Sequence, residues 1–294
     1  MCYTELMDAI HLDKQSVSKP LTSRWWFRAV LIVLFVFVPP YAVLPHDSSQ
    51  VSDITAATLA HPLAYEISWL LPIAKLLLLA AVIAPLFIGV RRGGRWLLGY
   101  YSLVLIIVAI FQNMAQTEQF GDTWLIGSTL VQLVVAAVCI YDLRRGLTGI
   151  DRSSLALRRV WLVPLMALAY LMPYAVNASG HVYPSLAHIL TNEPGLTYCM
   201  ITPIVIGMML LFPGKIHKPT LSLISFAGLL FAIANMMTWF VLRPADWWMG
   251  VLHLPLLLTS IYGLWEARLP RYKKSSAQYV QVRPAKARDV TSGH

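Results

Sequence analysis

Four carboxylates and one lysine stand in or beside stretches that are otherwise almost wholly apolar: Glu66, Lys75, Glu118, Asp122 and Asp246. A carboxylic acid among apolar walls holds its proton and can deliver it to a bound molecule. Trp124, Trp239, Trp247, Trp248 and Tyr174 fall in the same stretches, and aromatic faces stabilise developing cations. Asn113, Asn235 and His253 add hydrogen-bonding groups, and a histidine can move a proton near neutral pH. This set suits acid–base chemistry on an isoprenoid or other lipid-like substrate, of the cyclase or isomerase type. Asp246, Glu118, Glu66 and Lys75 are the candidate catalytic residues. Asn113, Asn235, Asp122, Trp124, Trp239, Trp247, Trp248, His253 and Tyr174 are the candidate substrate-binding residues.

Each feature has a plainer use. Asp122 directly precedes one apolar run and Asp246 opens another, where a carboxylate caps free N–H groups and meets the positive end of a helix dipole. The tryptophans fit a belt at a membrane interface. Asn113 and Asn235 fit interhelical glue, and His253 a hydrogen-bonded packing residue. Lys75 is harder to explain so. It lies nine residues past Glu66, about 13.5 Å along a continuous helix at 1.5 Å per residue. That depth in a bilayer demands a partner across the bundle, either an acid, with Asp122 and Glu118 in view, or a backbone carbonyl.

The elements that must position these groups are read from composition. Of 294 residues, 57% are hydrophobic and only 13% charged, against about a quarter charged in soluble domains. An ordinary soluble domain and a disordered chain are both excluded. Eight apolar runs reach or approach the ~20 residues a spanning helix needs: 25–45, 66–90, 95–115, 123–142, 159–176, 197–214, 219–242 and 245–266. The run 197–214 is marginal by length. No stretch alternates with period two, so no strand is predicted. The expected fold is an all-α polytopic membrane protein.

Every Lys and Arg except Lys75 and Arg243 falls in the N-terminal segment, an even-numbered loop or the C-terminal tail. This bias predicts that both termini face the cytoplasm, in the endoplasmic reticulum if the cell is eukaryotic. It also accounts for the net charge of +9 without nucleic acid. The first apolar run follows 24 mostly polar residues and reads as a signal anchor. The expected partners are membrane lipids, a lipophilic small molecule and, in the accessory-subunit reading, another membrane protein.

The two halves echo each other. Pro40-Tyr41-Ala42-Val43 recurs as Pro173-Tyr174-Ala175-Val176, and Asn113-Met114 as Asn235-Met236. Asp122-Thr123-Trp124 with Gly127 matches Asp246-Trp247-Trp248 with Gly250. The expected organisation is a cytoplasmic segment 1–24, four-helix units 25–145 and 146–266, and a basic tail 267–294. Parallel repeats of this kind also suit a small-molecule transporter with its site between the halves. An accessory membrane subunit is the third reading. No phosphate loop, HExxH or GxSxG motif is present, and neither a metal nor a cofactor is predicted.

Overall fold

The computed structural model describes residues 21–177, 181–189, 192 and 195–269. The expected segment 1–24 and tail 267–294 therefore lie largely outside the described residues. The described chain is mostly helical, and four of its helices are long and apolar enough to cross a membrane. These are α4 (Val90–Phe111), α5 (Ile126–Arg145), α8 (Lys218–Met237, prolonged by a π-helical turn Thr238–Leu242) and α9 (Trp247–Arg268). Four of the remaining apolar runs hold shorter helices: α1 (Trp25–Phe37), α3 (Leu71–Ile83), α6 (Leu162–Leu171) and α7 (Tyr198–Leu211).

Three departures from expectation have clear causes. The run 66–90 is not one helix from Glu66. A 3-10 turn occupies Ser68–Leu70, and Pro72 then sits in the first turn of α3, where its missing N–H costs nothing. Lys75 is thus on the second turn of α3 rather than far along a helix. The segment between the first two runs holds a further helix, α2 (Val51–Ala60), preceded by a 3-10 turn whose Gln50 Oε1 accepts from Asp47 N at 2.9 Å.

The third departure is the presence of strands. β1 (Tyr41–Ala42), β2 (Met114–Thr117) and β3 (Gly121–Trp124) form an antiparallel sheet in the order β1-β3-β2. The β2–β3 register pairs Met114 with Trp124 and Gln116 with Asp122. Gly121 turns the hairpin at φ +67°. Its neighbour Phe120 is buried with Ala42 and Ile54, so the sheet and α2 close one end of the bundle. β4 (Tyr174–Val176) and β5 (Val182–Pro184) form a second pair. Strands of two to four residues leave no periodicity to read. They serve to pair backbone groups where the chain leaves a helix.

The same end also gathers the second half, since Tyr198 N at the start of α7 donates to Gln112 Oε1 at 3.0 Å. The opposite end collects Arg91, Arg92, Arg95, Arg144 and Arg145 from α4 and α5, and is joined by the bridge between Gly149 and Lys215. There α5 ends in a left-handed Gly146, φ +61°, whose N–H returns to Asp142 O at 2.7 Å. The buried Asp142 carboxylate accepts from Thr148 N at 2.8 Å and Thr148 Oγ1 at 2.7 Å, with His217 Nδ1 at 3.5 Å. Arg159 pairs with Glu266 at 2.7 Å and donates to Leu210 O at 2.9 Å, tying the α6 approach to α7 and α9.

The core runs through α7, all of whose residues are buried. Beside it, α8 and α9 meet through reciprocal small residues. A Cβ on Gly228 would lie 2.4 Å from Ser260 Oγ, and one on Gly263 2.2 Å from Ser225 Oγ. Each serine therefore occupies the space its facing glycine leaves, as close helix approach in membranes requires. Gly228→Ala should lower thermal stability in detergent by about 1–3 kcal/mol through overpacking. Adding Ser260→Gly should return much of that loss, and a double variant no better than Gly228→Ala would mean the contact does not set the helix spacing.

Candidate functional site

At the closed end, α8 loosens into its π turn before the chain enters α9. Such turns widen a helix by one residue and recur at functional sites. Trp239 lies in that turn, and its ring stacks on His253 of α9 with centroids 6.1 Å apart and planes 28° from parallel. The indole N–H of Trp239 is buried without a hydrogen-bond partner among the described residues. His253 is buried, with Nδ1 2.8 Å from Met249 O. A carbonyl only accepts, so Nδ1 carries the proton and Nε2 keeps a lone pair. The pair thus presents one donor and one acceptor beside the apolar core.

The neighbouring predicted residues frame this pair. Asn235, one turn earlier on α8, donates to Phe231 O at 2.8 Å and to Cys199 Sγ on α7 at 3.2 Å. Trp248 is half-buried against the main core, while Trp247 is 57% exposed. Gly250 brings α9 against the π turn, since a Cβ there would lie 2.6 Å from the Phe240 ring. Asp246 is half-buried at the N-cap position of α9, yet its side chain makes no capping hydrogen bond. The expected cap is therefore absent, and the carboxylate is left for other use.

The first-half residues gather elsewhere. Asn113, buried just past α4, donates to Gln132 Oε1 at 2.8 Å and to Ala109 O at 3.2 Å. Trp124 Nε1 donates to Thr129 Oγ1 at 2.9 Å, and that hydroxyl donates to Ala109 O. Asp122 does not cap α5. It is exposed on β3, and the helix starts after Leu125 without a side-chain cap. Glu118 is exposed in the hairpin turn and Glu66 before α3. Tyr174 is buried on β4 against the main core. No hydrogen bond or ion pair among the described residues joins these groups to Asp246 or His253.

Lys75 lacks both predicted acid partners. It is 1% exposed, and its ammonium donates to Asn192 Oδ1 at 2.7 Å, to Ile189 O, and to Leu171 O at 3.4 Å, with the Tyr170 ring 5.2 Å away. Asn192 in turn donates to Met172 O and to Leu171 O at 3.2 Å. Lysine and asparagine together satisfy the carbonyls where α6 ends at Met172, φ +36°, and the charge faces the negative end of that helix.

Sequence reasoning passed over Asn192, Asp142, His217 and the Arg159–Glu266 pair. Asn192 sits in an Asn-Glu-Pro-Gly stretch that reads as a turn, so nothing in its spacing points to a lysine 117 positions away. Among the described residues no group of three or more His, Cys, Asp or Glu side chains is placed to hold a metal.

Lys75→Met should destabilise the protein by about 2–4 kcal/mol, because it strands buried acceptors. Asn192→Ala should cost a similar amount, and the double variant less than the sum. Denaturant titration of the purified protein checks this, and simple additivity would mean that the two side chains do not act together.

No family model, curated protein or solved structure matches this chain.

Proposed function

We propose that this chain is a multi-pass membrane protein that binds a lipophilic small molecule between α8 and α9 and performs acid–base chemistry on it. The observation that carries the reading is the Trp239–His253 pair, with its buried, unpartnered indole N–H and its oriented, buried imidazole, beside the uncapped Asp246. In this reading Trp239 Nε1 and His253 Nε2 hold a polar group of an isoprenoid or other lipid-like substrate. Asp246 delivers a proton, and the aromatic faces of Trp239 and Trp248 stabilise the positive charge that follows.

The same reading takes all eight apolar helices as spans, with both termini cytoplasmic and the arginine-rich end on that side. Every residue of α7 is buried, and non-helical backbone is tolerated at membrane depth when protein surrounds it. The two-unit organisation has support as well. Both Pro-Tyr-Ala-Val segments form short strands, β1 and β4. Asn113 and Asn235 each donate to the carbonyl four residues earlier and to a neighbouring helix. In one half α4 packs on α5 and α1 on α5, and in the other α8 packs on α9 and α6 on α9.

Two experiments test these proposals. Reporters fused after residue 185 and at residue 294 should report opposite sides of the membrane, and the same side for both would end the eight-span topology. Lipid extracts of the purified protein should contain an apolar compound that is lost from His253→Leu. In membranes at matched protein level, Asp246→Asn should reduce its conversion by about 10²–10⁴-fold, the usual contribution of a general acid. Unchanged conversion in Asp246→Asn would remove that residue as proton donor, and extracts without any bound compound would remove the site.

A further inference from the structure

At the opposite end of the bundle a pocket of about 320 Å³ lies between the turn after α3, the start of α4 and the segment after α5. Phe87, Val90 and Ile150 form its apolar side, and Asp151, Arg152 and Ser153 its polar side. The Arg152 guanidinium sits 5.6 Å from the centre of the Phe87 ring. It makes no hydrogen bond or ion pair among the described residues, so a cation stands at the pocket held only by a ring. The one acid of the lining is already engaged. Asp151 Oδ1 accepts from Ser153 Oγ at 2.7 Å and from Ser153 N at 2.9 Å. Those bonds hold its carboxyl below the usual carboxylate range.

The surroundings add positive potential and apolar surface together. Helix α4 begins at the pocket with Gly89 at the N-cap position and no side-chain cap. Its first-turn N–H groups have no intrahelical partner and form the positive end of the helix dipole. Arg91 and Arg92 stand exposed on that turn. Just beside it Phe87 is 69% exposed, with Ile88 and Val90 also exposed. A free phosphate has no use for those three side chains, whereas a phospholipid places an acyl chain where its phosphate ends.

We propose that this pocket binds the phosphate of an anionic glycerophospholipid, with Arg152 as its principal contact and an acyl chain along Phe87 and Ile88. This rests on the membrane reading given above but not on the chemistry assigned to Asp246. Basic pockets at the cytoplasmic ends of spanning helices are suited to such headgroups.

The test uses the full-length protein purified from nanodiscs of equal phosphatidylcholine and phosphatidylglycerol, with retained lipid counted by native mass spectrometry. The wild type should retain phosphatidylglycerol in preference to phosphatidylcholine. Arg152→Gln should weaken that retention about fivefold, the equivalent of about 1 kcal/mol for one arginine near an anionic surface. Arg158→Gln removes the same charge outside the pocket and should leave retention unchanged. Equal losses in both variants, or no preference in the wild type, would overturn the proposal. Displacement of the lipid by inorganic phosphate would overturn the lipid assignment. Arg152 is exposed, so its replacement should not disturb folding, and an unchanged thermal transition confirms that.

Discussion

Everything in this bundle is arranged around a helix with no exposed side. α7 is 14 residues long, apolar on all faces and buried throughout. A helix of that kind needs partners on every side, and it has them in α3, α4, α6, α8 and α9. Its contacts are specific as well as apolar. Gly207 lets the Met166 sulfur of α6 approach, since a Cβ there would lie 2.4 Å from it. The Tyr198 ring packs tilted against Phe231 of α8 at 4.2 Å, and Thr202 shares a 3.0 Å hydrogen bond with Tyr101 of α4. The two halves of the chain are therefore joined through α7 by both packing and polar contact, and neither half can close its core alone.

That arrangement explains why the run 197–214 looks marginal as a sequence. Length is the signal for a helix facing lipid, and α7 faces protein. The apolar runs otherwise locate the helices well, because burying apolar surface is the dominant demand on each of them. What escapes is the structure at helix exits. α2 is short and moderately polar, although Asp47 and Gln50 stand at the spacing of a capping box. The strands are shorter than the pattern needed to recognise them.

The candidate site divides along the same line. Trp239, His253, Asn235, Trp248 and Asp246 are near in sequence and are assembled by one helical turn-around, so their grouping was readable. Glu118, Asp122 and Glu66 border apolar runs whose helices begin later or end sooner than the runs do, so they fall in turns and on a strand rather than at helix ends. Lys75 was rightly marked as a group needing partners. Those partners are a side-chain amide and backbone carbonyls, and any residue can supply a carbonyl. Of the acids and carbonyls expected opposite the lysine, the structure therefore supplies the carbonyls, joined by one amide.

The Lys75 contact also bears on the order in which the chain can be assembled. Leu171, Ile189 and Asn192 lie 96, 114 and 117 positions downstream of the lysine. When α3 leaves the ribosome, none of them has been made. Until α4, α5 and α6 have followed, α3 carries an ammonium group whose final acceptors do not yet exist. A hydrocarbon environment would charge heavily for that interval. In the eight-span topology proposed above, the helix waits at the water interface, or in a polar insertion channel, and takes its place late. The first half of this protein is then completed by the second, in time as well as in space.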